Sequence, residues 1–331
     1  MEYKIEIEDN QILIFGGTGS LGYKLNERYL NNNIIYNFSR DECKHWEMKI
    51  HFHHNKNMKF IIGNVGDKTI VEQSICRVNP TIIIIASAMK HIDQCEINTA
   101  ESLKTNLLGT QNIIDSIEKN KATLTNLKTV IFVSSDKACS PINNYGMCKA
   151  LSETFMIEKA HFLPEFKFIN VRYGNVLNSR GSIIPLLHKL CQNPETKYLT
   201  LTHEYMTRFV MTLEQSVDLI EYAILNGETG DTIIPKLVSM NVKDLMEIFS
   251  EKYNKPIKIT GLRSGEKMLE SLINETQSSR LVINGDYSHI KSCITYPNIV
   301  NNDIKDYNSK INPLTKEELK IYLETLHLLD F

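Results

Sequence analysis

Ile12-Leu13-Ile14-Phe15-Gly16-Gly17-Thr18-Gly19-Ser20-Leu21-Gly22 is the stretch that decides the fold. A short apolar run ends in a glycine-rich turn, which opens into a helical pattern from Leu21 to Leu30. Gly16, Gly19 and Gly22 recur at every third position. Glycines at that spacing allow a tight turn, a close approach of a diphosphate to the backbone, and close packing of helix on strand. The free amides of the helix's first turn attract the phosphates. Thr18, Ser20 and Leu21 complete the same loop. A glycine-rich turn alone is a weak signal. A strand before it and a helix after it make it the start of a dinucleotide-binding strand–helix–strand unit.

Working outward, apolar runs alternate with helical patterns. Strands are predicted at Ile12–Phe15, Ile34–Phe38, Phe60–Ile62, Thr81–Ala86, Thr129–Val133 and Phe168–Val171. Helices are predicted near Leu21–Leu30, Lys68–Arg77, Ala100–Glu118 and Tyr145–His161. Strict alternation implies an α/β chain with a Rossmann-like, doubly wound parallel sheet. The run Ile82-Ile83-Ile84-Ile85-Ala86 is far too short to span a bilayer and reads as a strand buried on both faces. After Tyr173 the rhythm breaks into turn-rich stretches, with helices at Leu213–Leu225 and Val242–Tyr253 and a strand at Thr232–Pro235. The expected division is a nucleotide-binding domain over residues 1–173, its sheet completed by about 210–237, and a smaller interleaved substrate lobe over 174–209 and 238–331.

The 331 residues carry 37 basic and 39 acidic side chains, a net charge of −2, so no global field draws the chain to nucleic acid or anionic membrane. Seven cysteines, an odd number without paired spacing, suit a reducing, cytoplasmic compartment. Met1 to Gln11 is charged and lacks the apolar run of a signal peptide. His51, His53 and His54 lie close together, but no Cys or carboxylate spacing completes a metal site, and a solvated face is expected.

The second strand ends Phe38-Ser39-Arg40-Asp41. An acid here would hold an adenosine ribose and favour NAD. Ser39 and Arg40 come first, and a guanidinium suits a 2′-phosphate, so NADP is favoured, with Asp41 keeping NAD open. Asn64 and Val65, after the third strand, are placed to cover the adenine, whereas Asn106 reads as a buried structural amide.

Tyr145 and Lys149 are one helical turn apart and share a face. A free tyrosine, with a pKa near ~10, is a poor base at neutral pH. A nearby ammonium and a nicotinamide cation favour the phenolate, and Ser135 can bond a substrate hydroxyl. Those three groups suffice for hydride transfer. Asp136 and Lys137 are additional, and an extra acid with an extra amine points to a second proton transfer on the same substrate. That is the requirement of a dehydratase.

Ser135-Asp136-Lys137-Ala138, Pro141, Asn143 and Tyr145-Gly146-x-x-Lys149 together resemble the inverting UDP-N-acetylglucosamine 4,6-dehydratases (5-epimerising) of the extended short-chain dehydrogenase/reductase superfamily. Counterparts run nearly end to end: Ser39-Arg40-Asp41-Glu42, Ala88-Met89-Lys90-His91, Val171-Arg172-Tyr173-Gly174-Asn175-Val176, Ser179-Arg180-Gly181-Ser182, Met206-Thr207-Arg208-Phe209 and Arg263-Ser264-Gly265-Glu266-Lys267. The chain departs from the family at Phe15 and Ser135, where Thr is usual, at Asn64 (Asp), at Ile85 (His), and at the His203-Glu204 turn.

The resemblance implies a mechanism. Tyr145 takes the C4 hydroxyl proton as hydride passes to NADP⁺. Lys137, neutral in a desolvated pocket beside other cations, removes the C5 proton, Asp136 protonates the departing C6 hydroxyl, and hydride returns to C6. Lysine rather than glutamate at 137 goes with inversion at C5, giving UDP-2-acetamido-2,6-dideoxy-L-arabino-hexos-4-ulose for deoxy-amino-sugar (surface glycan) biosynthesis. The resemblance also implies cofactor contacts from Ala86, Ala88, Lys90, Tyr145 and Lys149. It places Asn175, Arg208 and Arg263 on the diphosphate and uridine and Glu266 on ribose hydroxyls, with Lys90 and Arg180 as further candidates. Implied partners are UDP-N-acetylglucosamine, a downstream reductase, epimerase or aminotransferase, and further copies of the chain in a dimer or hexamer. Two other readings stay open: a UDP-sugar 4-epimerase or 4-keto-sugar reductase, and a non-catalytic NADP-binding scaffold. Asp136-Lys137 argues against the first, and the complete set of proton-transfer residues against the second.

Overall fold

The computed structural model describes residues 7–294 and 306–330; residues 1–6, 295–305 and 331 lie outside the described residues. Strands β1 (Gln11–Phe15), β2 (Ile34–Ser39), β3 (Met58–Ile62), β4 (Ile82–Ile85), β5 (Thr129–Val133) and β6 (Lys167–Val171) pair in parallel, in the order β6-β5-β4-β1-β2-β3. All four isoleucines of β4 are buried, which is what a central strand covered on both faces requires. Leu13, Phe15, Ile83, Ile85, Val130 and Phe132 face one core, shared with Val71, Ile75, Ile113 and Ile117. Ile12, Ile14, Ile82, Ile84, Ile131 and Val133 face the other, against Leu25, Tyr29, Val217 and Ile220. The sheet is therefore doubly wound, as the alternation implies.

From β6 the sheet continues through Thr232–Pro235, paired in parallel, and then through Tyr287–Ile290 and Leu281–Asn284, both antiparallel, to make nine strands. The last two lie in the stretch that the sequence reading gives to the later lobe. Their signal is Gly285-Asp286, a two-residue hairpin loop with Gly285 at φ 62°. A third core of Leu177, Ile184, Leu187, Leu245, Phe249 and Leu319 lies beyond the main sheet. It surrounds a small sheet of Asn175–Val176, Thr207–Met211, Val238–Asn241 and Pro313–Leu314.

The single helix expected over Ala100–Glu118 is divided. Thr99–Leu103 and Gly109–Lys119 are α-helical, and Lys104–Leu108 between them is a π turn. The wider turn accompanies an inward Asn106, whose amide accepts from the Met89 N–H at 2.8 Å and donates to the Met89 carbonyl at 2.9 Å. It pins the loop after β4, a structural role.

The chain runs from β1 outward to β3 and from β4 outward to β6, so the winding reverses between β1 and β4. In such sheets a crevice opens beyond the carboxyl ends of the strands at that point. One buried ion pair fixes the neighbouring strand ends. The Arg172 guanidinium, just past β6, grips Glu153 at 2.8 and 2.6 Å; Ser134, just past β5, donates to the same carboxylate at 2.5 Å. Removing one member of a buried pair strands the other charge. Glu153→Gln is expected to cost about 3–5 kcal/mol in urea unfolding, and a loss below about 1 kcal/mol would show that the pair is dispensable.

Candidate active site

A cleft of about 860 Å³ opens at the reversal point, lined by Gly16, Gly19, Ser20 and Leu21 on one side and by Ser135, Lys137, Tyr145 and Lys149 deeper in. The glycine turn suits a dinucleotide. Gly16 has φ 92°, and a Cβ there would sit 2.8 Å from the Ser87 amide nitrogen. A Cβ on Gly22 would strike the Gly17 carbonyl, so glycine is what brings helix Ser20–Tyr29 down onto the turn. That helix has Gly19 at its N-cap and no side chain capping it, which leaves its first amides for an anion.

Thr18 and Ser39 do not line the cleft. They join each other at 3.0 Å, and Ser39 continues to His45 Nε2 at 2.9 Å. Arg40 is 58% exposed and pairs with Glu101 at 3.6 Å. Asp41 accepts the Lys44 N–H as N-cap of helix Glu42–His51 and pairs with the Lys44 ammonium, which holds its carboxyl below the usual range. Asn64 turns onto the Gly66 N–H at 2.9 Å, and Val65 is buried in the core. Ala86, Ala88 and Lys90 line the cleft.

Lys149 is almost wholly buried. Its ammonium donates to the Val133 carbonyl at 2.7 Å and lies 4.4 Å over the Phe132 ring. Burial pushes it down to about 8, against the pull of Glu153. Tyr145, on the same face of helix Asn144–Phe162, is pushed up from its ordinary value, first by burial and then by Tyr173 and Asp136, while Ser135 opposes the rise. In the free protein the phenol is thus held protonated. The sequence reading draws the phenolate from the ammonium together with a nicotinamide cation; without that cation, burial holds the phenol protonated.

Ser135 caps the short turn Asp136–Ala138 by accepting the Lys137 N–H at 3.1 Å, and its hydroxyl donates to Asp136 Oδ1 at 3.0 Å. The same Oδ1 accepts from the Lys137 ammonium at 3.0 Å, while Oδ2 is buried without a hydrogen-bond partner. Lys137 also donates to Asn175 Oδ1 at 3.3 Å and stands 3.6 Å from Glu270. The sequence reading has Lys137 neutral beside other cations. Here two carboxylates flank it. Burial works to lower its pKa, and Arg208 does so more weakly, but Asp136 and Glu270 outweigh both and raise it. Lys137 rests as an ammonium.

The substrate-contact candidates divide. Lys90, Asn175, Arg180, Arg263 and Glu266 line the cleft, with Arg263 paired to Glu266 at 2.5 Å. Arg208 does not; it is buried on strand Thr207–Met211, donates to the Thr207 carbonyl, and reaches the site through its field on Lys137. Arg180 reaches the glycine turn instead of open space: its guanidinium bonds the Thr18 carbonyl, and its N–H donates to Ser20 Oγ at 3.0 Å. Lys90 donates to the Arg180 carbonyl at 2.7 Å. Two residues escaped the sequence reading as site members, Tyr173 and Glu270. An acid set in Met268-Leu269-Glu270-Ser271-Leu272-Ile273, a run with no other charge, was the available signal for the second.

Residues 12–292 match the model of a family described as polysaccharide biosynthesis protein. The chain belongs to that family. It is an enzyme of the extended short-chain dehydrogenase/reductase type. It is 38% identical over 295 residues to a UDP-glucose 4-epimerase of Rickettsia typhi, covering 85% of this chain and 83% of the relative. The structure of Pen from Bacillus thuringiensis superposes with a TM-score of 0.89 at 32% identity, over 98% of this chain and 99% of that one. DesIV, a dTDP-glucose 4,6-dehydratase from Streptomyces venezuelae solved with NAD, shares the fold at 15% identity, with a TM-score of 0.65 over 78% of this chain and 86% of its own. Among the described residues no helix is long and apolar enough to cross a membrane.

Proposed function

We propose that this protein is a nicotinamide-dependent 4,6-dehydratase of UDP-N-acetylglucosamine that inverts C5. The observation that carries the reading is the buried Asp136–Lys137 pair beside Tyr145. An epimerase or ketoreductase needs only Ser135, Tyr145 and Lys149. The relatives' name favours a UDP-sugar 4-epimerase as the second reading; the additional acid–amine pair is the reason to place it second.

Gly16, Gly19, Ser20, Ala86 and Lys149 would hold the dinucleotide, and a bound nicotinamide supplies the hydride acceptance and return that the reaction needs. Arg40, exposed just past β2 and held only by a solvent-exposed pair with Glu101, could turn to a 2′-phosphate, while Asp41 is engaged as a helix cap, which favours NADP. The remaining chemistry belongs to the chain. Tyr145 takes the C4 hydroxyl proton from its phenolate form, which a bound nicotinamide cation would favour against the burial that holds the free phenol protonated. Moving one proton along the 3.0 Å bond from Lys137 to Asp136 turns the ion pair into an amine and a carboxylic acid without changing its net charge. The amine then takes the C5 proton as the acid gives its proton to the departing C6 hydroxyl, which leaves as water. The pair is back in its resting form. Returning the proton from Lys137 to the other face of C5 inverts that centre and leaves Lys137 one proton short, which Tyr145 can supply through the Ser135 hydroxyl to Asp136 and on to the amine.

Asn175 and Arg263 are assigned to the diphosphate and uridine and Glu266 to ribose hydroxyls, and the two-lobe division, a reducing cytoplasmic setting, self-assembly and a downstream sugar-nucleotide enzyme belong to the same proposal. The test is incubation of the purified chain with UDP-N-acetylglucosamine in D₂O without added reductant. The expected product has lost one water, carries deuterium at C5 in the L-arabino configuration, and forms with no net change in cofactor absorbance. Stoichiometric NADPH consumption, or a C4 epimer as the sole product, overturns the reading.

A further inference from the structure

Glu270 is buried to within 1% and sits between two lysines, with Oε1 3.6 Å from the Lys137 ammonium and Oε2 3.3 Å from that of Lys267. Its place is fixed by the backbone. The Glu270 N–H donates to Ser309 Oγ at 3.1 Å, the Ser309 N–H donates to the Glu270 carbonyl at 2.8 Å, and Ser309 Oγ meets Thr207 Oγ1 at 2.8 Å. Lys267 is anchored in turn, donating to the Cys139 carbonyl at 2.8 Å. A carboxylate buried this deeply needs a reason, since desolvating it costs several kcal/mol and Oε2 has no hydrogen bond of its own.

We propose that Glu270 is a positioning residue that keeps the shared proton on the Lys137–Asp136 pair through the elimination step. The inference rests on the dehydratase reading above and adds a residue to it. The charged and titratable groups facing Lys137 are Asp136 on its own turn, Glu270 from the loop before strand Ser271–Ile273, and Arg208 from strand Thr207–Met211. Tyr145 faces both Asp136 and Tyr173. Without Glu270, Asp136 would balance Lys137 alone, with Arg208 and Lys267 both pushing the proton away. The pair would then lose its proton at lower pH, leaving an amine that can accept from C5 but a carboxylate with nothing to give the C6 hydroxyl. Glu270 itself neither gains nor loses a proton in the cycle.

The test compares wild type with Glu270→Gln, which keeps the shape and removes the charge. Elimination of water from UDP-N-acetylglucosamine is followed across pH, and the Lys137 side-chain carbon is titrated by NMR in the substrate-free protein, with Lys137→Arg to assign the signal. In Glu270→Gln the alkaline fall in rate and the NMR midpoint are both expected to move down by ~1 pH unit or more, with KM little changed. Lys267→Met serves if Glu270→Gln does not fold. Freed from its second ammonium, Glu270 then acts on Lys137 alone, and both midpoints move up. Superimposable midpoints, or a rate that rises at alkaline pH in Glu270→Gln, overturn the proposal. A wild-type protein that eliminates no water, while its NMR midpoint still shifts on substitution, rejects the dehydratase reading and leaves the coupling of Glu270 to Lys137 standing.

Discussion

Tyr145→Phe is expected to slow turnover of UDP-N-acetylglucosamine by ~10²–10⁴-fold, the usual worth of a positioned general base. The substitution removes one oxygen from a side chain that is already buried, so the helix Asn144–Phe162 and its packing should survive. Substrate affinity should survive as well, because Asn175, Arg263 and Glu266 line other parts of the cleft. Binding is read by calorimetry and chemistry by a single-turnover assay. A variant that binds normally and reacts at close to the wild-type rate removes Tyr145 as the base. The raised pKa of the phenol gives the companion expectation. The wild-type rate for C4 oxidation climbs with pH, because burial disfavours the phenolate that accepts the proton.

Lys137→Ala is expected to separate the two halves of the reaction. Tyr145, Ser135 and Lys149 remain, so oxidation at C4 proceeds and substrate drives a build-up of reduced-cofactor absorbance. Loss of the C5 proton acceptor should lower elimination by at least ~10²-fold. The variant also leaves Asp136 buried beside Glu270 with no cation between them, so a drop of a few kcal/mol in stability is expected. Lys137→Met, which fills the space, distinguishes lost chemistry from lost packing. If both variants release water at the wild-type rate, Lys137 is a structural cation and the dehydratase reading loses its main support.

The fold was legible wherever a pattern was local. The isoleucine run of β4 and the glycine turn after β1 each declare themselves within a dozen residues, because burial on both faces and backbone crowding restrict the choice of side chain. Helix Glu42–His51 was not seen, since only His45 and Met48 are buried along it and its apolar period is correspondingly thin. The hairpin at Leu281–Ile290 has no place in the sequence reading, because strand pairing across about fifty residues leaves no mark in either partner.

The site divides the same way. Groups set by local spacing, such as the Tyr145–Lys149 face, were readable from the sequence, whereas the capping of Asp136–Ala138 by Ser135 was not. The ionisation of Lys137 was not, because it depends on Glu270, which lies 133 positions further along and is brought close only by folding. Asp41 shows the converse. Its position suggested a ribose contact, but a helix begins beside it and an acid is also the preferred cap there.

The segment 179–182 is tied by Arg180 to the Thr18 carbonyl and the Ser20 hydroxyl, and by the Arg180 carbonyl to Lys90, so it bridges the glycine turn and the loop after β4. A dinucleotide lying on that turn would be retained if it leaves beneath this bridge, since two of these bonds involve a charged side chain. For an enzyme that borrows a hydride and gives it back, slow departure carries no penalty, and each molecule would keep its own coenzyme from one catalytic cycle to the next. Its output would then be set by the supply of sugar nucleotide and be deaf to the cell's ratio of reduced to oxidised coenzyme.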